Sequence, residues 1–548
     1  MNTTTPAARL ATLYRALPAT VLTALLAACG GGSTSVVPVT TGITGTVTTT
    51  TSTTGTTSTT TTTTTTTGTG DPKLAAWLNF GGNAQHTALG GATAAQNLTR
   101  LVWRADVDLA PTYNQDVLTS GHYGPPIITA ANTVILPVRV TAAGAYRIEA
   151  RSGVDGTPKW QSTTDFIPVN KTYSYGIAAT PQGRVYFPGA GGKLHYRDNI
   201  DGTPGPLQTV VYYGASVYES NKAALDTAVI INTPLTTDAD GNVFFGVAAA
   251  ANPANLTSAI VRVAPDGKAV FTSVSTAAGD VNVSRPANSA APALSPDSKT
   301  VYAVATSAPG LTPQTSFMLA FDSTTMAVKA KVALVDPKSG QPANVSAGTS
   351  ASPAVGPDGD VYYGVLARGS LHQSSQGWLL HFDATLATTK TPGAFGWDFT
   401  PSIVPASIVS SYKGSSKYLL LTKYNEYQLG RHRMAILDPN ATQDDLKEPT
   451  VKVMQEVITL LGQTNDPSGG ANFLHEWCVN TAAVDPITKS VFINSSDGIL
   501  YRWNLNTNQV DQSFNLNVGY YQSYTPTMLG PDGKIYAINN AVLMAIGN

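Results

Sequence analysis

Two neighbouring residues near the C-terminal end, His475 and Glu476, are the pair best suited to proton transfer, because a carboxylate beside an imidazole can support general acid–base work. They do not form a zinc-protease helix motif, since position 479 is Val where a second His would stand. Adjacent residues entering a strand also tend to point to opposite faces, so packing or hydrogen bonding is the plainer expectation for both. Arg431-His432-Arg433 could hold an anion, although a solvated loop is the simpler reading. Gly189-Ala190-Gly191-Gly192-Lys193 lacks the spacing and the following Ser/Thr of a phosphate loop, and no Gly-x-Ser-x-Gly elbow occurs. Asp238-Ala239-Asp240-Gly241-Asn242 looks like the start of a calcium loop, but its Gly comes too early and position 249 is Ala instead of Glu. No metal site is predicted.

A third group of candidates is aromatic: His122-Tyr123, Tyr173 and Tyr175, Trp397-Asp398-Phe399, Trp477, and Tyr520-Tyr521 with Tyr524. Each stands just before an apolar segment that recurs along the chain. Gly356-Pro357-Asp358-Gly359-Asp360-Val361-Tyr362-Tyr363 returns as Gly530-Pro531-Asp532-Gly533-Lys534-Ile535-Tyr536-Ala537. Looser copies follow Thr180, Thr237 and Ser295. Aligned on the Val/Ile that follows the turn, the copies have an anchor nine residues earlier, at positions 125, 176, 234, 292, 353, 482 and 526. An eighth, with a longer turn, starts at Pro401.

Fixed spacing inside a unit, with uneven spacing from one anchor to the next, marks a repeat architecture. Each unit reads as strand, tight turn, apolar strand, loop and further strands. Asp-Gly between two apolar runs is a hairpin signal, so the echo is read as a hinge. Four-stranded units of this size suit propeller blades. The expected fold is therefore all-β: an eight-bladed β-propeller, or seven-bladed if the Pro401 unit is not a blade. The last unit stops after about three strands, and the segment from Asn97 to Arg104 is expected to supply its outer strand and close the ring. Irregular loops at 161–175, 209–231, 305–316, 365–377, 388–399 and 462–477 gather on one face, where Tyr123, Tyr175, Trp397, Trp477, Tyr521 and Arg431 are the ligand-binding candidates. The alternative is that these rings plug and pack the channel.

The segment 1–28 carries Arg9 and Arg15, then an apolar run too short to span a bilayer, and ends Leu26-Ala27-Ala28 before Cys29. This resembles a bacterial lipobox, which implies that 1–28 is a lipoprotein signal peptide and that Cys29 is acylated and becomes the first mature residue; an ordinary signal peptide cut near Ala28 is the alternative. Gly at position 30, by resemblance to lipoprotein sorting rules, favours the outer membrane. With Cys29 acylated, Cys478 is expected to have no partner and to form no internal disulfide. Thr dominates the stretch from Thr41 to Gly70, with Gly and Ser making up most of the rest, so 29–70 reads as a disordered tether and 71–548 as the folded part. A net charge of −1 with 12% charged residues argues against a nucleic-acid partner. A monomer is expected.

The folded part opens Trp77-Leu78-Asn79-Phe80-Gly81-Gly82-Asn83-Ala84-Gln85-His86-Thr87, with Leu101-Val102-Trp103 following. This resembles the start of quinoprotein-like (PQQ-like) β-propellers. The resemblance implies the propeller fold and two functional classes: pyrroloquinoline quinone dehydrogenases that use calcium, and non-enzymatic lipoproteins that assist outer-membrane protein assembly. The chain departs from the enzymes in having a single Cys478 where they carry two adjacent cysteines, and it has no Cys-x-x-Cys-His. The leading expectation is an envelope or surface binding module whose partner is a protein or a polymer. A periplasmic PQQ-dependent oxidoreductase acting on alcohols or sugars is the competing one.

Overall fold

In the computed structural model, the described residues are 71, 75–111, 123–141, 143–167, 175–308, 314–345, 351–368, 377–426, 430–466, 473–516 and 525–548. The signal segment, Cys29, the Thr-rich tether and Tyr521 lie outside them. No described helix is long and apolar enough to cross a membrane.

The recurring phrase is a hinge, as its chemistry suggests. In four copies the Gly has positive φ (Gly183 +83°, Gly241 +87°, Gly359 +93°, Gly533 +80°). In each, its N–H donates back three residues, for example Gly359 to Gly356 at 2.9 Å and Gly533 to Gly530 at 3.0 Å. Only Gly takes that conformation without steric cost, and it lets two apolar strands fold back on each other. The apolar strands on either side are buried on both faces. Thr133–Arg139, Val361–Leu366 and Ile535–Asn539, for instance, have no exposed residue.

Eight antiparallel sheets result among the described residues, one per predicted unit. Their innermost strands are Ile127–Ile128, Ala178–Ala179, Thr236–Thr237, Ala293–Leu294, Ala354–Val355, Ser402–Pro405, Ala483–Asp485 and Met528–Leu529, defining blades 1 to 8. The Pro401 unit is a full four-stranded blade, so the count is eight and not seven. Blades 3 and 4 each gain a fifth strand, Val229–Ile231 and Val283–Pro286.

Blade 5 has only three strands. Its outer edge is partly covered by bridges to Thr389 and Gly393. Beyond these lie the unusually long strands Arg433–Asp444 and Lys452–Leu461 of blade 6, from which Met454 donates to the Pro392 carbonyl at 2.8 Å. The interval 209–231, expected as an irregular loop, contains the helix Ala215–Ala228 instead. Its Tyr218 hydroxyl sits among Lys193, Lys222 and Asp226, and this polar network holds the helix on blade 2.

Closure follows the expected route. Strand Arg100–Asp106 pairs antiparallel with Val542–Gly547, from Arg100 opposite Gly547 to Asp106 opposite Val542, as the fourth strand of blade 8. Trp103 donates its indole N–H to the Gly153 carbonyl of blade 1 at 3.1 Å, and Asn132 of blade 1 reaches Asp532 of blade 8 at 2.8 Å. Blades 8 and 1 share one apolar core that includes Trp77, Trp103, Leu136, Tyr536 and Ile546.

Candidate functional site

The opening segment runs across one end of the ring. Its residues pass the hinge end of the blades in order. Trp77 exchanges two backbone hydrogen bonds with Ile128 of blade 1, and Leu78 accepts from Ala179 of blade 2. Asn79 accepts from the Thr237 N–H of blade 3 at 2.7 Å. The carbonyls of Ala84, Gln85, Thr87 and Ala88 then accept from Leu294, Val355, Ile403 and Val484 of blades 4 to 7, all between 2.8 and 2.9 Å. Gln96 finally donates to Gly533 of blade 8 at 2.8 Å.

His86 ties two blades more strongly. It is 0% exposed, with Nδ1 at 2.7 Å from the Pro353 carbonyl and Nε2 at 3.3 Å from the Thr236 hydroxyl. Burial pushes its pKa down to about 4. Gly82 has φ +95°, and a Cβ there would press on the Trp77 ring at 3.3 Å. The Trp-to-Thr motif is thus a girdle laid across the hinge end, where with Thr129, Thr180 and Asp238 it also lines a cavity of about 660 Å³.

At the loop-bearing end the expected residues divide. Tyr175 belongs to the packing: its hydroxyl donates to the Pro188 carbonyl at 2.7 Å and its ring stacks on Tyr146 at 4.4 Å. Tyr123 is half-buried against the blade 8–blade 1 core, with its hydroxyl 3.4 Å from Asp108. Arg431 is exposed. His475 and Glu476 face different surroundings, as expected of adjacent residues. The His475 Nε2 meets the Ser496 hydroxyl at 2.9 Å, while Glu476 contributes to the field at Lys423. Burial holds the imidazoles of His475 and His432 below their ordinary range.

Cys478 is fully buried, and the expectation for its pairing rests on Cys29, which lies outside the described residues.

Trp397 and Trp477 are different in kind, because both are buried with indole N–H groups that have no hydrogen-bond partner. Unpaired buried donors are uncommon because each forgoes the hydrogen bonds it had with water. Among the described residues, eight Trp, Tyr and Lys side chains keep such an atom, and six of them lie in blades 5 to 7: Tyr363, Trp378, Trp397, Lys423, Tyr424 and Trp477. Lys423 is 0% exposed and its Nζ is unpaired. Burial holds its ammonium below the usual range, outweighing the pull of the Asp398 and Glu476 carboxylates in the other direction.

The backbone brings this sector together. Gly364 is required where the Gly396 carbonyl would stand 1.8 Å from a Cβ, which lets the segment carrying Trp397 and Asp398 lie on blade 5. Asn425 clamps Trp477 of blade 7 to blade 6 by exchanging two bonds, at 3.0 and 3.1 Å, with its backbone.

Sequence reasoning singled out the two Trp residues and missed Lys423. The available signal was a lone charge ending the run Tyr418-Leu419-Leu420-Leu421-Thr422.

Fold and site together define an eight-bladed β-propeller with one end girdled and a donor-rich sector at blades 5 to 7. No protein-family model matches the chain, and no curated protein matches it. Among solved structures it is similar to BamB from Moraxella catarrhalis, at 13% identity over 82% of this chain and 99% of that one, with TM-score 0.44. It is also similar to a europium-containing methanol dehydrogenase, at 12% identity over 85% and 89%, TM-score 0.48. A quinohemoprotein alcohol dehydrogenase from Comamonas testosteroni matches at 13% identity over 86% and 77%, TM-score 0.48. At these identities and scores the likenesses say nothing about activity, and the blade count rests on the strand order of this chain.

The quinone and calcium of the competing expectation can be tested against the residues. Calcium takes six to eight oxygen ligands, but no three His, Cys, Asp or Glu side chains converge among the described residues. In the blade 5–7 sector a tricarboxylate quinone would meet the Lys423 amine flanked by two carboxylates, a poor balance of charge. A tricarboxylate quinone alone is a poor match for this charge pattern, and no redox step is derived.

Proposed function

We propose that the chain is an exported, lipid-anchored binding module of the cell envelope, engaging a partner at the loop-bearing end in the sector of blades 5 to 7. The observation that carries this reading is the concentration of unpaired buried donors there. Folding leaves those groups costly, and an acceptor-bearing partner relieves the cost on binding. The lipobox-like sequence at Cys29 supports anchoring.

Photo-cross-linking in cells that natively make the protein tests the reading. A photoreactive residue at exposed Arg431 should capture an envelope partner, whereas one at exposed Lys299, in the blade 4 hinge, should not. Equal capture from both positions, or capture only from Lys299, would defeat it. Cys29→Ser should release the protein from membranes, and a variant that stays bound would remove the anchor.

A further inference from the structure

We infer that the blade 5–7 sector receives a single carboxylate, attached to a flat apolar group, with Lys423 as its counter-charge. The inference rests on the loop-end reading and gives it a ligand class. It stands on three features of the sector.

First, the unpaired groups there include the indole N–H donors of Trp378, Trp397 and Trp477 and the amine of Lys423, so the complementary group is an acceptor. Second, the charge count limits that acceptor to one negative charge. Asp398 on the segment entering blade 6 and Glu476 on the segment entering blade 7 both act on Lys423, so a dianion would be repelled by the carboxylates that flank the lysine. Third, the sector is built from large aromatic rings, Trp378 and Trp397 in one apolar cluster and Trp477 in the next, whose faces stack well on a flat apolar group.

A proton accompanies the ligand. Burial disfavours the charged ammonium of Lys423. An arriving carboxylate supplies the opposite charge that stabilises it, so binding takes up as much as one proton and weakens as pH rises. The other titratable groups facing this field are Asp398, Glu476 and, on blade 5, the Tyr363 phenol, which burial and Asp398 together push well above its ordinary range.

The test uses the full chain in detergent and three probes: 3-phenylpropionate, its neutral amide, and the dianion benzylmalonate. Calorimetry in two buffers of different ionisation enthalpy reads affinity and proton uptake together. The monoacid should bind at least about tenfold more tightly than the amide and than the dianion, with net proton uptake between zero and one. Lys423→Met should lose the preference for acid over amide, while Lys299→Ala, exposed in the blade 4 hinge, keeps it. Acid and amide binding alike, no acid binding at 10 mM, or an unchanged preference in Lys423→Met would overturn the inference. Cross-linking from Arg431 would still decide the loop-end reading separately.

Discussion

Replacing Lys423 with Met should make the protein more stable and less able to bind. Met keeps the length and most of the volume of the lysine stem while removing an amine that is 0% exposed and lacks a partner. A buried polar group without a hydrogen bond costs roughly 1–3 kcal/mol in proteins, and removing it returns that amount. With a urea m-value on the order of 3 kcal/mol per M or above for a fold of this size, the midpoint should rise by roughly 0.3–1 M at pH 7. The carboxylates of Asp398 and Glu476 act in the opposite direction, because they favour a charged lysine; their pull is outweighed by burial. Chemical denaturation followed by Trp fluorescence, for wild type and variant at matched pH, gives the number. A midpoint lower in the variant than in wild type would show that Lys423 is a paired structural cation and not a free donor.

Other outcomes follow from the same geometry. The folded pKa of His86, about 4, lies below its unfolded value near 6.5, so the neutral imidazole contributes fully above pH 6.5 and its share is lost as pH falls toward 4. That difference is worth about 3 kcal/mol, and His86→Gln, though weaker at pH 7, should show a shallower loss of stability over this window; parallel curves would refute it. Deleting residues 98–106 removes the fourth strand of blade 8 and should leave a protein that aggregates through the exposed edge of Val542–Gly547; a monomeric, protease-resistant product would contradict ring closure. Acylation of Cys29 predicts a lipid mass adduct and one thiol, from Cys478, titratable after denaturation of membrane-extracted protein. Protein without the adduct, or without a free thiol, would contradict the acylation.

Much of the fold was legible because a propeller repeats its most demanding local feature. The positive φ of Gly183, Gly241, Gly359 and Gly533 forces the same residue type at the same offset from a buried Val or Ile, and that offset locates the innermost strands. The closing strand was legible from the missing fourth strand of the last unit.

Insertions between blades were less legible. The helix Ala215–Ala228 stands where only an interval between anchors could be seen, with a non-helical Asn221 in its middle. The blade 6 arm that reaches the edge of blade 5 depends on a contact between Met454 and Pro392, which no local pattern announces. The site was half legible for a related reason. Aromatic residues before the innermost strands can be found in sequence, but whether a ring is paired depends on distant groups. Tyr175 found the Pro188 carbonyl, whereas the Trp397 and Trp477 indoles found nothing.

Indole resonances offer the most direct measurement of the sector. In protein carrying 15N at Trp, with signals assigned by single Trp→Phe variants, 3-phenylpropionate should shift the N–H signals of Trp378, Trp397 and Trp477 downfield as they gain an acceptor. The signals of Trp103, Trp160 and Trp503, already bonded to Gly153, Ile200 and Asn508, should stay in place. Shifts confined to the second trio, or no shift in the first at saturating ligand, would contradict the placement of a binding site in blades 5 to 7.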